Sequence, residues 1–165
     1  MTQSIKKIAV IGTGVIGSSW TTLFLSKGFR VIVSDPAPNA KENLSNFIKA
    51  EWPRMQRLGL SSTADPSNYE VVDDITHHLH DVDFVQEVCS IPSEAGALLL
   101  ISFKNAPERP DFKSKLVGNI DAHLPKGRII ASSSSGIPSS QFIGECKSDP
   151  SRVLIGHPFN PVSFA

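Results

Sequence analysis

Cysteine is scarce: Cys89 and Cys146 are the only two in 165 residues. Two thiols cannot build a disulfide framework, and their spacing fits no metal site. Neither a stapled secreted domain nor a metal centre is therefore expected, and metal ligands are assigned to none of the residues. Net charge is also absent. Sixteen Lys and Arg balance sixteen Asp and Glu, with no block of one sign, which argues against a nucleic acid or an anionic membrane as partner. Long apolar runs are missing too. The longest, residues 97–101, is far short of the ~20 residues that cross a bilayer. The N-terminus lacks the apolar stretch and small-residue cleavage pattern of a signal peptide. No repeat of solenoid period occurs. A soluble, by default cytoplasmic, protein is expected.

What is present is a regular alternation of short β-branched runs and helical patterns. Residues 5–11 read as a buried parallel strand. Residues 15–27 read as a helix, with Val15, Ile16, Trp20, Leu23, Phe24 and Leu25 near helical spacing and Gly28 as its stop. Residues 29–33 read as a second strand, completing a right-handed βαβ unit. Further along, the pattern predicts a helix over 38–58 with Pro53 as a kink or break. Weak strand character follows at Val71 and Val72, then a strand over 81–86, a helix within 108–123 and a strand over 128–131. A short helix over 138–145 and a last strand over 152–155 complete the pattern. The fold class implied is α/β, a Rossmann-type doubly wound, mostly parallel sheet.

The first strand runs into Gly12-Thr13-Gly14-Val15-Ile16-Gly17, which fits G-x-G-x-x-G. The pattern alone is weak, but here it follows a strand, opens a helix and precedes an acidic residue at the end of the next strand. Gly12 serves the tight turn, Gly14 the close approach of backbone to a pyrophosphate, and Gly17 the packing of helix on sheet. The helix N-terminus offers unpaired N–H groups to phosphate. Asp35 suits the two hydroxyls of an adenosine ribose and repels a 2′-phosphate, which favours NAD over NADP. Arg30 lies before the second strand, poorly placed to reverse that preference. FAD uses a similar fingerprint, and a glycine turn without ligand is the plain structural alternative.

Two more segments sit where open α/β sheets bind ligands, beyond strand C-termini. One is the serine run Ser132-Ser133-Ser134-Ser135, the other Gly156-His157-Pro158-Phe159-Asn160-Pro161. An imidazole there suits proton abstraction from an alcohol near neutral pH. A helix-capping serine loop and a structural histidine are the competing readings. His77, His78, His80 and His123 read as surface residues.

With these motifs in view, the chain resembles the N-terminal NAD-binding domain of the 3-hydroxyacyl-CoA dehydrogenase family. The likeness is carried by residues 11–17, Asp35-Pro36, Asp83-Phe84-Val85-Gln86-Glu87, the serine run and residues 156–161. Trp52-Pro53 and Arg57-Leu58-Gly59-Leu60 resemble the branch that acts on small hydroxy acids such as carnitine and gulonate. The resemblance implies NAD as cofactor and a small 3-hydroxy acid or an acyl-CoA as substrate. It implies His157 as general base at the substrate C3 hydroxyl, with Ser135 and Asn160 holding the reacting oxygen or the histidine loop. It also implies Glu87 and Lys113 beside the cofactor, and homodimers among full-length relatives.

Two departures from the family pattern accompany the likeness. The glutamate that orients the family's histidine, and the helical C-terminal domain beyond it, have no counterpart here. Residues 88–104 also interrupt an otherwise continuous match between Glu87 and Asn105. The expected organisation is a Rossmann domain over 1–161 with an insert at 88–104, then a tail, 162–165, outside the family pattern. Both segments begin with valine, whose codons all open with GT, and the insert closes with lysine, one of whose codons ends in AG. Translated intron and genuine isoform both fit that coincidence. The alternative to an active dehydrogenase is a module that holds NAD(H) with little or no turnover.

Overall fold

In the computed structural model, residues 4–88, 110–159 and 162 are described. Among these residues, six strands form one sheet in the order β3-β2-β1-β4-β5-β6, every pair parallel. They are β1 (Lys7–Ile11), β2 (Arg30–Ser34), β3 (Tyr69–Val72), β4 (Phe84–Glu87), β5 (Ile129–Ser132) and β6 (Val153–Ile155). The helices are α1 (Val15–Ser26), α2 (Ala40–Leu58) and α3 (Pro110–His123). The strand order reverses between β1 and β4, which creates the crevice where such sheets bind ligands.

The strands alternate as a doubly covered sheet requires. Ile8, Val10, Val31 and Val33 face the side that Leu25 of α1 and Leu44 and Ile48 of α2 cover. Ala9, Ile11, Ile32, Val85 and Ile130 face the opposite side, under Val117 and Ile120 of α3.

Four elements differ from the sequence reading. The face α1 buries is Gly17, Ser18, Thr21, Thr22, Leu25 and Ser26, whereas Val15 stands 62% exposed. Small residues let the helix approach the sheet closely, and their hydroxyls are satisfied within the helix. Thr21 Oγ1 donates to the Gly17 carbonyl at 2.9 Å and Thr22 Oγ1 to Ser18 at 2.8 Å. Next, α2 runs through Pro53 without a break. The carbonyl that the missing N–H leaves unpaired belongs to Lys49, an exposed residue, so water can serve it. Finally, the helix expected over 138–145 is only the 3₁₀ turn Ser139–Gln141. The strand expected over 81–86 begins later, because Thr76–Asp81 form a 3₁₀ helix. Of the expected insert only Val88 is described, continuing β4 with its amide on the Ile11 carbonyl at 2.9 Å. Cys89 and the apolar run 97–101 lie outside the described residues.

Among the described residues, no helix is long and apolar enough to cross a membrane. No cluster of metal-binding side chains occurs among them either. Cys146 is buried, and burial, aided by the Asp121 carboxylate, pushes its thiol up to about 11, so it stays protonated at neutral pH.

Candidate cofactor site and catalytic loops

The glycine turn joins β1 to α1 at the C-terminal edge of the sheet. Gly12 has φ +101°, a conformation L side chains rarely adopt. A Cβ on Gly17 would lie 1.9 Å from the Gly12 carbonyl oxygen, so the turn and the helix can meet this closely only through glycine. Gly14 is different. A Cβ there would meet nothing within 4 Å and would project into open space at the helix N-terminus. Among the described residues no side chain caps α1, and its first turn carries no acidic residue. Open space, uncapped amides and the positive dipole end together suit a pyrophosphate.

Asp35 follows β2 at the same edge, half-buried. Its Oδ2 accepts from the Thr13 amide at 2.5 Å and the Thr13 hydroxyl at 2.7 Å, and its Oδ1 from the Ala37 amide at 2.8 Å. The glycine turn and the acidic residue therefore form one hydrogen-bonded unit. Arg30 lies at the other end of β2, where its guanidinium meets Glu70 at 3.2 Å. It is at the opposite end of the strand from Asp35, too far along to receive a 2′-phosphate there.

Glu87 and Lys113 are brought together, and both are buried. Lys113 Nζ donates to Glu87 Oε2 at 2.7 Å and to Ser132 Oγ at 3.2 Å, while Ser132 Oγ donates to Glu87 Oε2 at 2.5 Å. The Lys113 ammonium also stands 5.6 Å from the centre of the Phe142 ring. This cluster ties α3 to the ends of β4 and β5, where Glu87 and Ser132 are register partners.

Sequence reasoning missed a second hub. Ser133 Oγ accepts from Gln86 Nε2 at 2.9 Å and from the Trp20 indole at 3.3 Å. It donates to the Gly156 carbonyl at 3.5 Å. The Gly156 amide meanwhile donates to the Ser132 carbonyl at 2.8 Å. The peptide just before His157 is thus tied to β5 on both sides. The available signal was Trp20 itself, because a tryptophan held against a sheet needs a partner for its N–H.

Ser135 and His157 follow neighbouring strands, three residues past β5 and two past β6, and both are exposed. The imidazole of His157 has no hydrogen-bond or ion-pair partner among the described residues. The Ser134 hydroxyl accepts from the Ile137 amide at 3.3 Å and donates to the Ile137 carbonyl at 3.1 Å, within the serine loop. The 3₁₀ turn that follows, with Pro138 at its N-cap, carries no side-chain cap. Asn160 lies outside the described residues. His77, His80 and His123 are exposed and His78 is half-buried, all away from these loops.

The family model for "3-hydroxyacyl-CoA dehydrogenase, NAD binding domain" matches residues 7–165. The chain belongs to this family. A 3-hydroxyacyl-CoA dehydrogenase of Gibberella moniliformis is 43% identical over 98% of this chain and 44% of its own length. An L-carnitine dehydrogenase of Nocardiopsis dassonvillei is 38% identical over 96% of this chain and 43% of its own length. Among solved structures, 3-hydroxybutyryl-CoA dehydrogenase from Escherichia coli superposes with a TM-score of 0.75 at 25% identity, over 98% of this chain and 31% of that one. The chain spans less than half the length of these relatives. An open Gly14, a helix start without a side-chain cap and an acidic residue held against the turn are features of this chain compatible with such a domain.

Proposed function

We propose that this chain is the cofactor-binding half of an NAD-dependent oxidoreductase that oxidises the 3-hydroxyl of a 3-hydroxy acid or a 3-hydroxyacyl-CoA. The observation that carries the reading is the unit of Gly12, Gly14, Gly17 and Asp35 at the point where strand order reverses. The 1–161 domain with its 88–104 insert is part of the same reading. Bound NAD supplies the hydride acceptor. The chain's own residues bind and orient it: the amides of Gly14, Val15 and Ile16 take the pyrophosphate, and Asp35 takes the adenosine ribose. His157 receives the substrate hydroxyl proton on a ring nitrogen as the C3 hydrogen leaves as hydride. Ser135 and Asn160 hydrogen-bond the reacting oxygen or the His157 loop. Glu87 and Lys113 fix the floor of the nicotinamide site through Ser132 rather than by exposed contact. The names of the relatives favour a small 3-hydroxy acid of the carnitine kind.

A second reading has its own observation. A general base works best when a partner fixes its tautomer, and His157 has none among the described residues. The chain would then hold NAD(H) without efficient turnover.

The test is an NADH fluorescence titration of the purified chain beside Asp35→Ala, followed by NAD reduction with L-carnitine and with 3-hydroxybutyryl-CoA. Saturable binding, weakened at least about tenfold in the variant, supports the cofactor site. Turnover abolished by His157→Gln supports the dehydrogenase reading, and binding without turnover supports the second. A flat titration of folded chain would reject both.

A further inference from the structure

Asp35 has fewer open acceptor positions than a ribose anchor needs. An ionised carboxylate offers about four, two on each oxygen. Thr13 takes both on Oδ2, with its amide at 2.5 Å and its hydroxyl at 2.7 Å. The Ala37 amide takes one on Oδ1 at 2.8 Å. A single position is left, while an adenosine ribose presents two adjacent hydroxyls. The Thr13 backbone cannot retreat. Its carbonyl accepts from Ser18 Oγ at 2.8 Å, and the neighbouring Gly12 amide is bound to the Ser34 carbonyl at 2.9 Å. Only the hydroxyl proton, on a free rotor, can give way.

We infer that the Thr13 hydroxyl competes with the adenosine ribose for Asp35, so that Thr13 sets the strength and the reversibility of cofactor binding. This rests on the NAD reading above and adds a role for a residue whose part there is only to belong to the turn. In the free protein, losing the hydroxyl is nearly neutral, because Asp35 is half-exposed and water can replace it. In the complex, the freed lone pair accepts the second ribose hydroxyl with no internal bond to break. Removing the Thr13 hydroxyl therefore tightens binding by about three- to tenfold, the worth of one net hydrogen bond. The gain falls in dissociation, since encounter does not depend on this contact.

The experiment compares wild type with Thr13→Val, Thr13→Ala and Thr13→Ser. NADH affinity is read by fluorescence, release by stopped-flow, and folding by circular dichroism. NADH lacking the adenosine 2′-hydroxyl serves as a second ligand. The expected result is tighter binding and slower release in Thr13→Val and Thr13→Ala, with Thr13→Ser matching wild type. The 2′-deoxy ligand should bind wild type almost as well as NADH does, because the 3′-hydroxyl can fill the single open position. It should lose about the whole gain in Thr13→Val. Equal or weaker NADH binding in folded Thr13→Val and Thr13→Ala, with wild type saturating normally, overturns the competition. No saturable binding by any of the four proteins rejects the NAD site itself and the competition with it, and the flat wild-type curve distinguishes that failure from the first.

Discussion

Gly17 and Asp121 illustrate two different ways in which one residue can be irreplaceable. A Cβ at Gly17 would overlap the Gly12 carbonyl at 1.9 Å, a backbone atom that cannot swing aside. Gly17→Ala should cost at least about 2 kcal/mol by urea denaturation and weaken NADH binding in parallel, because the turn itself must move. Asp121 is irreplaceable through its partners. It accepts from Arg152 Nε at 3.0 Å and Nη2 at 2.8 Å, and from the Ser148 and Asp149 amides at 2.7 and 3.1 Å. Burial alone would raise its carboxyl, but the Ser148 amide, the Arg152 guanidinium and the Asp149 amide outweigh it and hold it below the usual range. A depressed folded value stabilises the protein above the unfolded pKa of ~3.9, and that stability is lost as pH falls below it. Asp121→Asn should cost about 3–5 kcal/mol at pH 7 and flatten the loss of stability between pH 5 and pH 3, as read by urea midpoints across that range. Gly12, Gly14, Gly17 and Asp35 were legible in sequence because a turn and a strand end are local facts. Asp121 with Arg152, and Trp20 with Ser133, join residues far apart in sequence, so no periodicity announces them.

Among the elements, α3 is held near each end by a buried ion pair, Lys113 with Glu87 and Asp121 with Arg152. Lys113 reaches from it to Glu87 and Ser132, with the Lys113 side chain 5% exposed and that of Glu87 fully buried. Removing one partner takes a counter-charge from the other in a buried site. Lys113→Met should therefore destabilise by about 3–5 kcal/mol, while the double variant Lys113→Met with Glu87→Leu should recover much of that loss. Thermal melts of the four proteins in the cycle would show it, and equal losses in single and double variants would contradict it. Element type was readable wherever β-branched runs and helical spacing were strong, as in β1, β2 and α2. The reading failed where tertiary packing chose differently. The apolar residues of α1 suggested an apolar inner face, but the close helix–sheet approach set by Gly17 selected the face of Ser18, Thr21 and Thr22. Residues 138–145 have helical spacing but settle into one 3₁₀ turn, anchored by Ser134 and Phe142.

For the whole molecule, cofactor and stability are linked. A ligand that binds only the folded state adds RT ln(1 + [L]/Kd), about 2.7 kcal/mol at a hundredfold excess over Kd. NADH at that level should raise the melting temperature by several degrees, and the increase should fall to about half in Asp35→Ala, where a tenfold weaker Kd leaves about 1.4 kcal/mol; an equal increase in both would place the cofactor elsewhere. The overall architecture was legible as a doubly wound sheet because strands and helices alternate throughout. The complete parallelism and the strand order required the structure, since six short strands can be arranged in many ways that satisfy the same pattern.

The strand order also acts in time. β1 pairs with β2 almost at once along the chain, Lys7 meeting Arg30. Its other side waits for β4, with Ile8 meeting Phe84. During synthesis, β1, α1 and β2 emerge well before β4, so the nascent chain carries one side of its central strand unpaired. Contacts this distant in sequence form late and slow the final step of folding. The crevice where strand order reverses lies on that same β1–β4 seam, the pairing most distant in sequence in the sheet, so it takes shape only once that pairing has closed.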